Sequence, residues 1–520
     1  MPRRKPFHLW ILLVMVLALD LPVRASGRAA AAQRPPNIVF IVADDLGYGD
    51  IGAYGQKRIR TPNLDRMAAE GMRFTQHYSG NAVCAPSRCV LMTGRHPGHA
   101  FIRDNRELKP EGQWPLPEDT ATLPRLLQSA GYATGAFGKW GLGGPGSSGA
   151  PRRQGIDRFF GYNCQRLAHN YYPTHLWDDD RKVPLDNPDF SPYQRFPTNG
   201  NPSEAAAYIP YSGREYAPDR IASEALRFVD AHKDQPFLLF FPTTVPHLAL
   251  QVPEDSLAEY AGRFPEKPYL GQSGYLPHRA PRAAYAAMVT RLDREIGRIM
   301  SRITELGLDD QTLFVFTSDN GPLYDQLGGT DTDFFDSAGG LRGRKGALHE
   351  GGIRVPCIVR WKGHVPAGKT SDRVTAFEDW MPTLLDLAGL SHLTPATLDG
   401  VSFKKTLLGE KQKPRDFLYR EFPGYEGWQM IRTGDWKLVR HQLNTPKDKP
   451  KPQVLELFNL RRDPTESQDV SGSEPARVRR LLKLMGRQHT ASKDFPFPVL
   501  DAGEPASGRH STAGIDVRRP

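Results

Sequence analysis

The sequence predicts an α/β protein: a large mixed, mostly parallel sheet sandwiched by helices, with a smaller C-terminal antiparallel sheet subdomain. Three observations carry that expectation. Short, continuously apolar runs recur at Asn37–Ala43, Ala133–Phe137, Pro236–Phe241 and Thr312–Thr317, as expected of strands covered on both faces. Between them lie stretches with helical spacing. The clearest puts Tyr285, Met288, Val289, Leu292, Ile296, Ile299 and Ile303 on one face, with Gly307 as a C-cap. Strands alternating with helices indicate an α/β sheet. Beyond about Leu398 the texture changes: Trp428–Arg432, Trp436–Arg440 and Val454–Phe458 read as short antiparallel strands, with a turn at Thr433-Gly434-Asp435.

At the N-terminus, Arg3, Arg4 and Lys5 precede the apolar stretch Leu9–Leu19, and Val23-Arg24-Ala25 offers small residues at signal-peptidase spacing. Residues 1–25 therefore read as a signal peptide, and the chain as exported to a periplasmic, extracellular or lysosomal compartment. The run is short for a bilayer span, no cysteine follows it, and no other stretch reaches transmembrane length, so no stable membrane anchor is expected. Residues 26–36 form an Ala-, Gln- and Pro-rich linker, 37–397 the main α/β domain, and 398–497 the C-terminal subdomain. Residues 498–520, polar and containing Gly and Pro, read as a disordered tail. Gly143–Tyr216, dense in Gly, Pro, Asn and aromatic residues, reads as a long surface insertion of the kind that carries substrate contacts.

The formal charge of +10 falls to about +7 once residues 1–25, with four basic and one acidic residue, are removed. A basic surface favours polyanions. Nucleic acid is not expected, because no reader motif or aromatic–basic stripe is present, and sulfated or acidic glycans suit an exported chain better. The cysteines, Cys84, Cys89, Cys164 and Cys357, lack C-x-x-C spacing, which argues against a zinc framework. A Cys164–Cys357 bridge is left open.

The four apolar strands end in reactive groups: Asp44-Asp45, Lys139, Pro246-His247 and Ser318-Asp319-Asn320. Ligands of open α/β sheets bind outside the carboxyl ends of the strands, so these groups are expected to converge. Asp44, Asp45, Asp319 and Asn320 offer hard oxygen ligands suited to Ca²⁺ or Mg²⁺. The plainer alternative is that the two pairs sit in separate solvated turns. Cys84-Ala85-Pro86-Ser87-Arg88 can open a helix, since Pro86 suits a first turn, which places Cys84 where free N–H groups and the dipole favour anions. On its own terms Cys84 is either a buried thiol or an activated nucleophile.

Cys84-x-Pro86-Ser87-Arg88 resembles the signature of formylglycine-dependent (type I) sulfatases, in the alkaline-phosphatase-like superfamily. Thr93-Gly94-Arg95, Asp44-Asp45, Gly138-Lys139-Trp140, Ser318-Asp319-Asn320-Gly321, Gly346, Glu350 through Pro356, Asp435-Trp436-Lys437 and Asp463-Pro464 match in order and spacing. The resemblance implies sulfate-ester hydrolysis, arylsulfatase-like, with a sulfated sugar as natural substrate. It implies that a maturation enzyme converts Cys84 to formylglycine (3-oxoalanine), whose hydrate attacks sulfur and whose second hydroxyl allows sulfate to be expelled. One Ca²⁺ is implied at Asp44, Asp45, Asp319 and Asn320, touching the residue-84 side chain. Arg88 would orient the hydrate, Lys139 and Lys345 bind sulfate, His247 assist the departing alcohol with Lys345, and Asp319 polarise the attacking hydroxyl.

One departure stands out. The family's Gly-Lys-Trp-His histidine, the base for sulfate elimination, is Gly141 here. His169 and His175, in the aromatic insertion, are the candidate substitutes, His169 foremost; His96, His99 and His349 are further histidines of unassigned role. Two other functions share the motif or the charge: a phosphonate or phosphate ester hydrolase using the same nucleophile, and a catalytically silent binder of sulfated glycans.

Overall fold

The computed structural model describes residues 1–3, 34–446, 448–502 and 515–516. The expected signal peptide, most of the linker and most of the tail lie outside the described residues. In chain order the large sheet comprises β1 (Asn37–Ala43), β2 (Met72–Tyr78), β3 (Ala133–Lys139), β4 (Arg158–Tyr162), β5 (His175–Asp178), β6 (Arg181–Pro184), β7 (Phe237–Pro242), β8 (Thr312–Ser318) and β9 (Arg354–Arg360). Two short strands, β10 (Lys369–Ser371) and β11 (Thr375–Ala376), both pair with β2 at one edge. Across the sheet the order is β10-β2-β9-β8-β1-β7-β3-β4-β5-β6. The central five, β8, β1, β7, β3 and β4, run parallel, and β9, β2, β5 and β6 continue the sheet in antiparallel pairs.

The apolar runs become strands because both their faces are covered. Every residue of β1, β3, β7 and β8 is buried. Alternate side chains of a strand point to opposite faces. Val39, Ile41 and Ala43 of β1 accordingly pack with α2 (Ala217–Ala231) and α3 (Pro281–Glu305), while Ile38, Phe40 and Val42 pack with α1 (Cys84–Thr93) and α4 (Trp380–Leu387). The predicted apolar face of α3, from Tyr285 to Ile303, is buried throughout. Gly307 stands one residue beyond the cap residue Leu306, with φ of 70°, and donates its N–H to the Thr304 carbonyl at 2.9 Å.

The 143–216 segment differs from the expected surface insertion. It supplies β4, β5 and β6, and β4 is the fifth parallel strand, beside β3. These strands are only four or five residues long and broken by Gly161 and Pro184, so their periodicity is hidden among loop residues. All four cysteines are buried free thiols, so Cys164 and Cys357 are not bridged.

The C-terminal sheet comprises β12 (Leu418–Phe422), β13 (Trp428–Thr433), β14 (Trp436–His441) and β15 (Gln453–Asn459), antiparallel to one another, with Gly434 at φ of 55° in the β13–β14 turn. A two-residue strand, Ile515–Asp516, adds to β15 in parallel, and Pro498–Asp501 is helical, so the described parts of the 498–520 segment carry secondary structure where a disordered tail was expected. Strand β12 is absent from the sequence reading because Arg420 and Glu421 interrupt its apolar character. Both are fully buried, and Arg420 donates to Glu378 at 3.0 and 2.9 Å and to the Ser79 carbonyl at 2.9 and 2.7 Å. Lys437 of β14 is also fully buried. Its Nζ lies 2.9 Å from Glu350 and 2.9 Å from Glu466, all three being fully buried. Burial disfavours the Glu350 carboxylate, yet Lys437, Arg354 and Arg432 together hold its pKa down at about 2. Lys437→Met would leave two buried carboxylates facing each other, which should cost about 3–5 kcal/mol of stability. Urea denaturation should show the loss, and an unchanged midpoint would contradict it.

Candidate active site

The carboxyl ends of β1, β3, β7 and β8 deliver their polar residues to one edge of the sheet, as the parallel core requires. Asp44 and Asp45 follow β1, Asp319 and Asn320 follow β8, Lys139 closes β3, and His247 lies five residues beyond β7. Backbone bonds splice these ends together. Asp319 N–H donates to the Ala43 carbonyl at 3.0 Å, Asp44 N–H to the Val245 carbonyl at 3.1 Å, and Asp45 N–H to Asp319 Oδ1 at 3.2 Å. Asp45 adopts φ of 64°, the left-handed region, so its carboxylate turns toward Asn320 and Lys345.

Helix α1 enters the same edge with Cys84 as its first residue. All ten of its residues are buried, and Gly94 terminates it in the left-handed conformation (φ 65°), donating to the Val90 carbonyl at 2.9 Å. Pro86 fits the first turn, where a missing N–H costs no helix bond. Cys84 Sγ lies 3.5 Å from Asp44 Oδ1 and 3.5 Å from Lys345 Nζ. Arg88, one turn on, donates from Nε and Nη2 to Asp319 Oδ2 at 3.0 and 2.8 Å, and from Nη1 to the Lys139 carbonyl. Lys139 Nζ donates to Asp44 Oδ2 at 2.5 Å, and Lys345 Nζ to Asp45 Oδ2 at 2.8 Å. Lys345 itself is pinned by its N–H to the Pro322 carbonyl at 2.9 Å.

Three carboxylates thus meet three cations in a fully buried space. Burial pushes up the carboxyls of Asp45 and Asp319, the latter to about 6, with Asp44 adding to both. Asp44 is equally buried, but Lys139, Arg88 and Lys345 outweigh that cost and hold it well below the ordinary range. The Cys84 thiol is pushed up to about 12 by burial, despite Lys139 and Lys345, so it stays protonated and poorly nucleophilic. His247 donates from Nδ1 to the Leu248 carbonyl at 2.7 Å, which turns Nε2 toward Asp45 Oδ2 at 3.4 Å. Burial, reinforced by Lys345, lowers its pKa to about 3, so the ring is neutral.

The donor set fits a hard divalent cation. Ligand atoms of Asp44, Asp45, Asp319 and Cys84 all lie within 4.8 Å of one another. Asn320 Nδ2 donates to Asp45 Oδ1 at 2.7 Å and to the Gly321 carbonyl at 2.9 Å, which leaves its Oδ1 buried without a hydrogen-bond partner. A buried acceptor with no donor calls for a bound ligand, and an amide oxygen beside carboxylates is calcium-type chemistry.

The histidines separate. His169 stacks on His247, with ring centroids 4.7 Å apart and planes 9° apart, and its Nδ1 pairs with the Tyr193 hydroxyl. Burial, together with His247 and Lys139, holds it well below the usual histidine pKa. His175 is not brought into the cluster: it sits on β5 with Nε2 3.1 Å from Glu111. His96 and His99 gather around Asp399, beyond the far end of α1, and His349 pairs with Glu456 at 3.0 Å. At Gly141, with φ of 78°, an added Cβ would come within 2.8 Å of Gln165 Nε2. Gln165 therefore occupies the space a side chain at 141 would need, and its Nε2 is buried without a partner. No periodicity or motif marks Gln165 in the sequence; the close approach to residue 141 exists only in the fold.

Comparison with known proteins agrees with this geometry. The profile of the family described as Sulfatase matches residues 36–390, and that of N-sulphoglucosamine sulphohydrolase, C-terminal, matches residues 344–490. Arylsulfatase A of Homo sapiens is 36% identical over 519 residues, covering 93% of this chain and 93% of that protein. Steryl-sulfatase of Mus musculus is 31% identical over 589 residues, covering 96% of this chain and 89% of that protein. The crystal structure of Ps i-CgsB in complex with k-i-k-neocarrahexaose shares 28% identity and a TM-score of 0.67, covering 89% of this chain and 94% of that one. A parallel sheet that delivers this charge cluster to a helix-borne Cys84, in a chain matched by that profile over most of its length, belongs to the sulfatase family of sulfuric ester hydrolases.

Proposed function

We propose that this sulfatase hydrolyses sulfate esters of sugars, using a nucleophile made from Cys84 and one Ca²⁺ held by Asp44, Asp45, Asp319 and Asn320. The observation that carries the reading is the seat of Cys84. Its Sγ lies between Lys345 and Asp44 at 3.5 Å each, at the start of a buried helix, with a thiol that burial keeps protonated. A cysteine so placed is a poor thiolate nucleophile, and conversion to formylglycine removes that difficulty. The sugar assignment is supported by the exported character of the sequence and by the carbohydrate bound in the Ps i-CgsB complex. An external maturation enzyme would carry out the conversion, and residues 1–25 would direct export.

A hydrated aldehyde at residue 84 would supply the attacking oxygen and a second hydroxyl, whose loss of a proton would re-form the carbonyl as the C–O bond to sulfate breaks. When bound by Asp44, Asp45, Asp319 and Asn320, Ca²⁺ would supply positive charge against the sulfate oxygens and the attacking oxygen. The chain's own residues do the rest. Lys139 and Lys345 present ammonium groups on either side of position 84, where they bind sulfate oxygens and counter charge developing as the ester bond breaks. Arg88, fixed by Asp319 and the Lys139 carbonyl, orients the side chain of residue 84. Asp319, with a carboxylate oxygen within 4.8 Å of Cys84 Sγ, is placed to polarise the attacking hydroxyl. His247 is neutral in the free site; an arriving sulfate monoester anion favours its protonated form, which can then donate from Nε2 to the departing alcohol oxygen, with Lys345 beside it. His169, neutral and stacked on His247, is assigned the proton uptake that position 141 cannot perform.

In protein from a host with the maturation machinery, mass analysis of the peptide carrying residue 84 should find an aldehyde that reacts with hydrazides; an unmodified thiol in fully active protein would refute the reading. Cys84→Ala should lower kcat on the best sulfated sugar by ~10³-fold or more, with the fold retained by circular dichroism. Exhaustive chelation should lower kcat, and Ca²⁺ should restore it better than Zn²⁺; equal or better restoration by Zn²⁺ would count against the oxygen-ligand site.

A further inference from the structure

Apart from its charged floor, the site has a mouth, and that mouth is aromatic. Among the described residues the exposed tyrosines are Tyr193 (41% exposed), Tyr324 (41%) and Tyr425 (52%). All three stand around the Cys84 cluster. The Tyr324 and Tyr425 rings lie side by side, with centroids 6.3 Å apart and planes 27° apart. They stand over Gly346, where an added Cβ would meet the Tyr324 hydroxyl at 2.8 Å and Tyr425 Cδ1 at 3.1 Å. Gly346 adjoins Lys345, whose Nζ reaches Cys84. On the other side Tyr193 packs on Tyr275 at 5.5 Å, and Tyr275 packs on His169 and His247 at 5.4 and 6.2 Å. Tyr193 also borders a cleft of about 300 Å³ lined by Arg166, Asn170 and Phe190.

The backbone is arranged to present these rings. Tyr275 and Tyr425 both adopt left-handed conformations, with φ of 64° and 49°, and Glu426 follows at 71°. A bulky residue with positive φ is a backbone outlier, tolerated only where its surroundings over-determine it, and such residues cluster at functional sites. Two tyrosines so held, flanking one cluster, are not explained by core packing, because the Tyr425 ring is half in solvent. The Tyr425 loop is instead braced from behind: Trp428 Nε1 donates to the Tyr425 carbonyl at 3.0 Å, and Asn444 N–H to the Glu426 carbonyl at 2.7 Å.

We propose that Tyr324 and Tyr425 form a stacking platform for the ring of the leaving alcohol, with Tyr193 and Tyr275 as the opposing wall. The inference rests on the sulfate-ester reading above and adds to it the part of the site that selects the alcohol. The lysines take the sulfate; the tyrosines take a flat or chair-shaped six-membered ring, through its C–H or π face, and prefer it to an open alkyl chain. Amphipathic tyrosine suits this task, since its face stacks while its hydroxyl stays in water.

The test is equilibrium binding, by calorimetry, to Ca²⁺-loaded Cys84→Ala protein, which does not consume the probes. Inorganic sulfate, ethyl sulfate, 4-nitrophenyl sulfate and galactose 6-sulfate are compared. At least one ring ester should bind ~10-fold tighter than inorganic or ethyl sulfate. Tyr425→Ala and Tyr324→Ala should each remove most of that gain and leave inorganic sulfate binding unchanged, while Tyr425→Phe retains it; which ring ester gains more separates sugar from aryl preference. Ring esters bound equally by the parent and the alanine variants, or no tighter than ethyl sulfate by the parent, overturn the platform. A parent that binds none of the four probes overturns the sulfate site itself, and the platform with it.

Discussion

Burying three carboxylates beside three cations is the constraint around which this protein is built. Asp44, Asp45 and Asp319 cannot share a water-free space as anions unless Lys139, Lys345 and Arg88 are held against them. Those partners come from β3, a Gly-rich loop and α1, so the charge balance exists only when the sheet, the loop and the helix are all in place. Asn320 Oδ1, buried beside these carboxylates, accepts no hydrogen bond from the protein.

The C-terminal sheet serves the same cluster indirectly. Lys345 and Gly346 belong to a loop whose end, at Glu350, is gripped by Lys437 of β14. Gly346 N–H donates to the Ala82 carbonyl at 2.8 Å, just ahead of Cys84, so the loop is tied both to the segment that opens α1 and to the second sheet. The same sheet carries Tyr425 in its β12–β13 connection. A single piece of structure therefore steadies Lys345 and shapes the aromatic rim of the site.

The division of labour between charge and aromatic surface explains why parts of the site were legible and others were not. Asp44-Asp45, Lys139, His247 and Asp319-Asn320 each follow an apolar run long enough to be read as a buried strand, and parallel strands carry such residues to a common edge. Cys84 was legible through its motif. Tyr324, Tyr425 and Tyr275 sit in separate loops and share no spacing, and the left-handed φ values of Tyr275 and Tyr425 cannot be read from tyrosine, which ordinarily avoids them. Gln165 was invisible for the same reason, because its relation to Gly141 is a contact across two strands.

By itself the sequence determined the α/β class, the four core strands, the face of α3 and the identity of the charged groups, because burial on two faces and helical periodicity are local patterns. Tertiary structure alone decided which charges compensate one another, that β4, β5 and β6 extend the sheet, and that β12 is a strand despite Arg420 and Glu421. It also decided that His169 rather than His175 reaches the cluster. These outcomes depend on partners far apart in the chain. The environment that neutralises a buried arginine, or stacks one histidine on another, is created by folding and is written in no single segment.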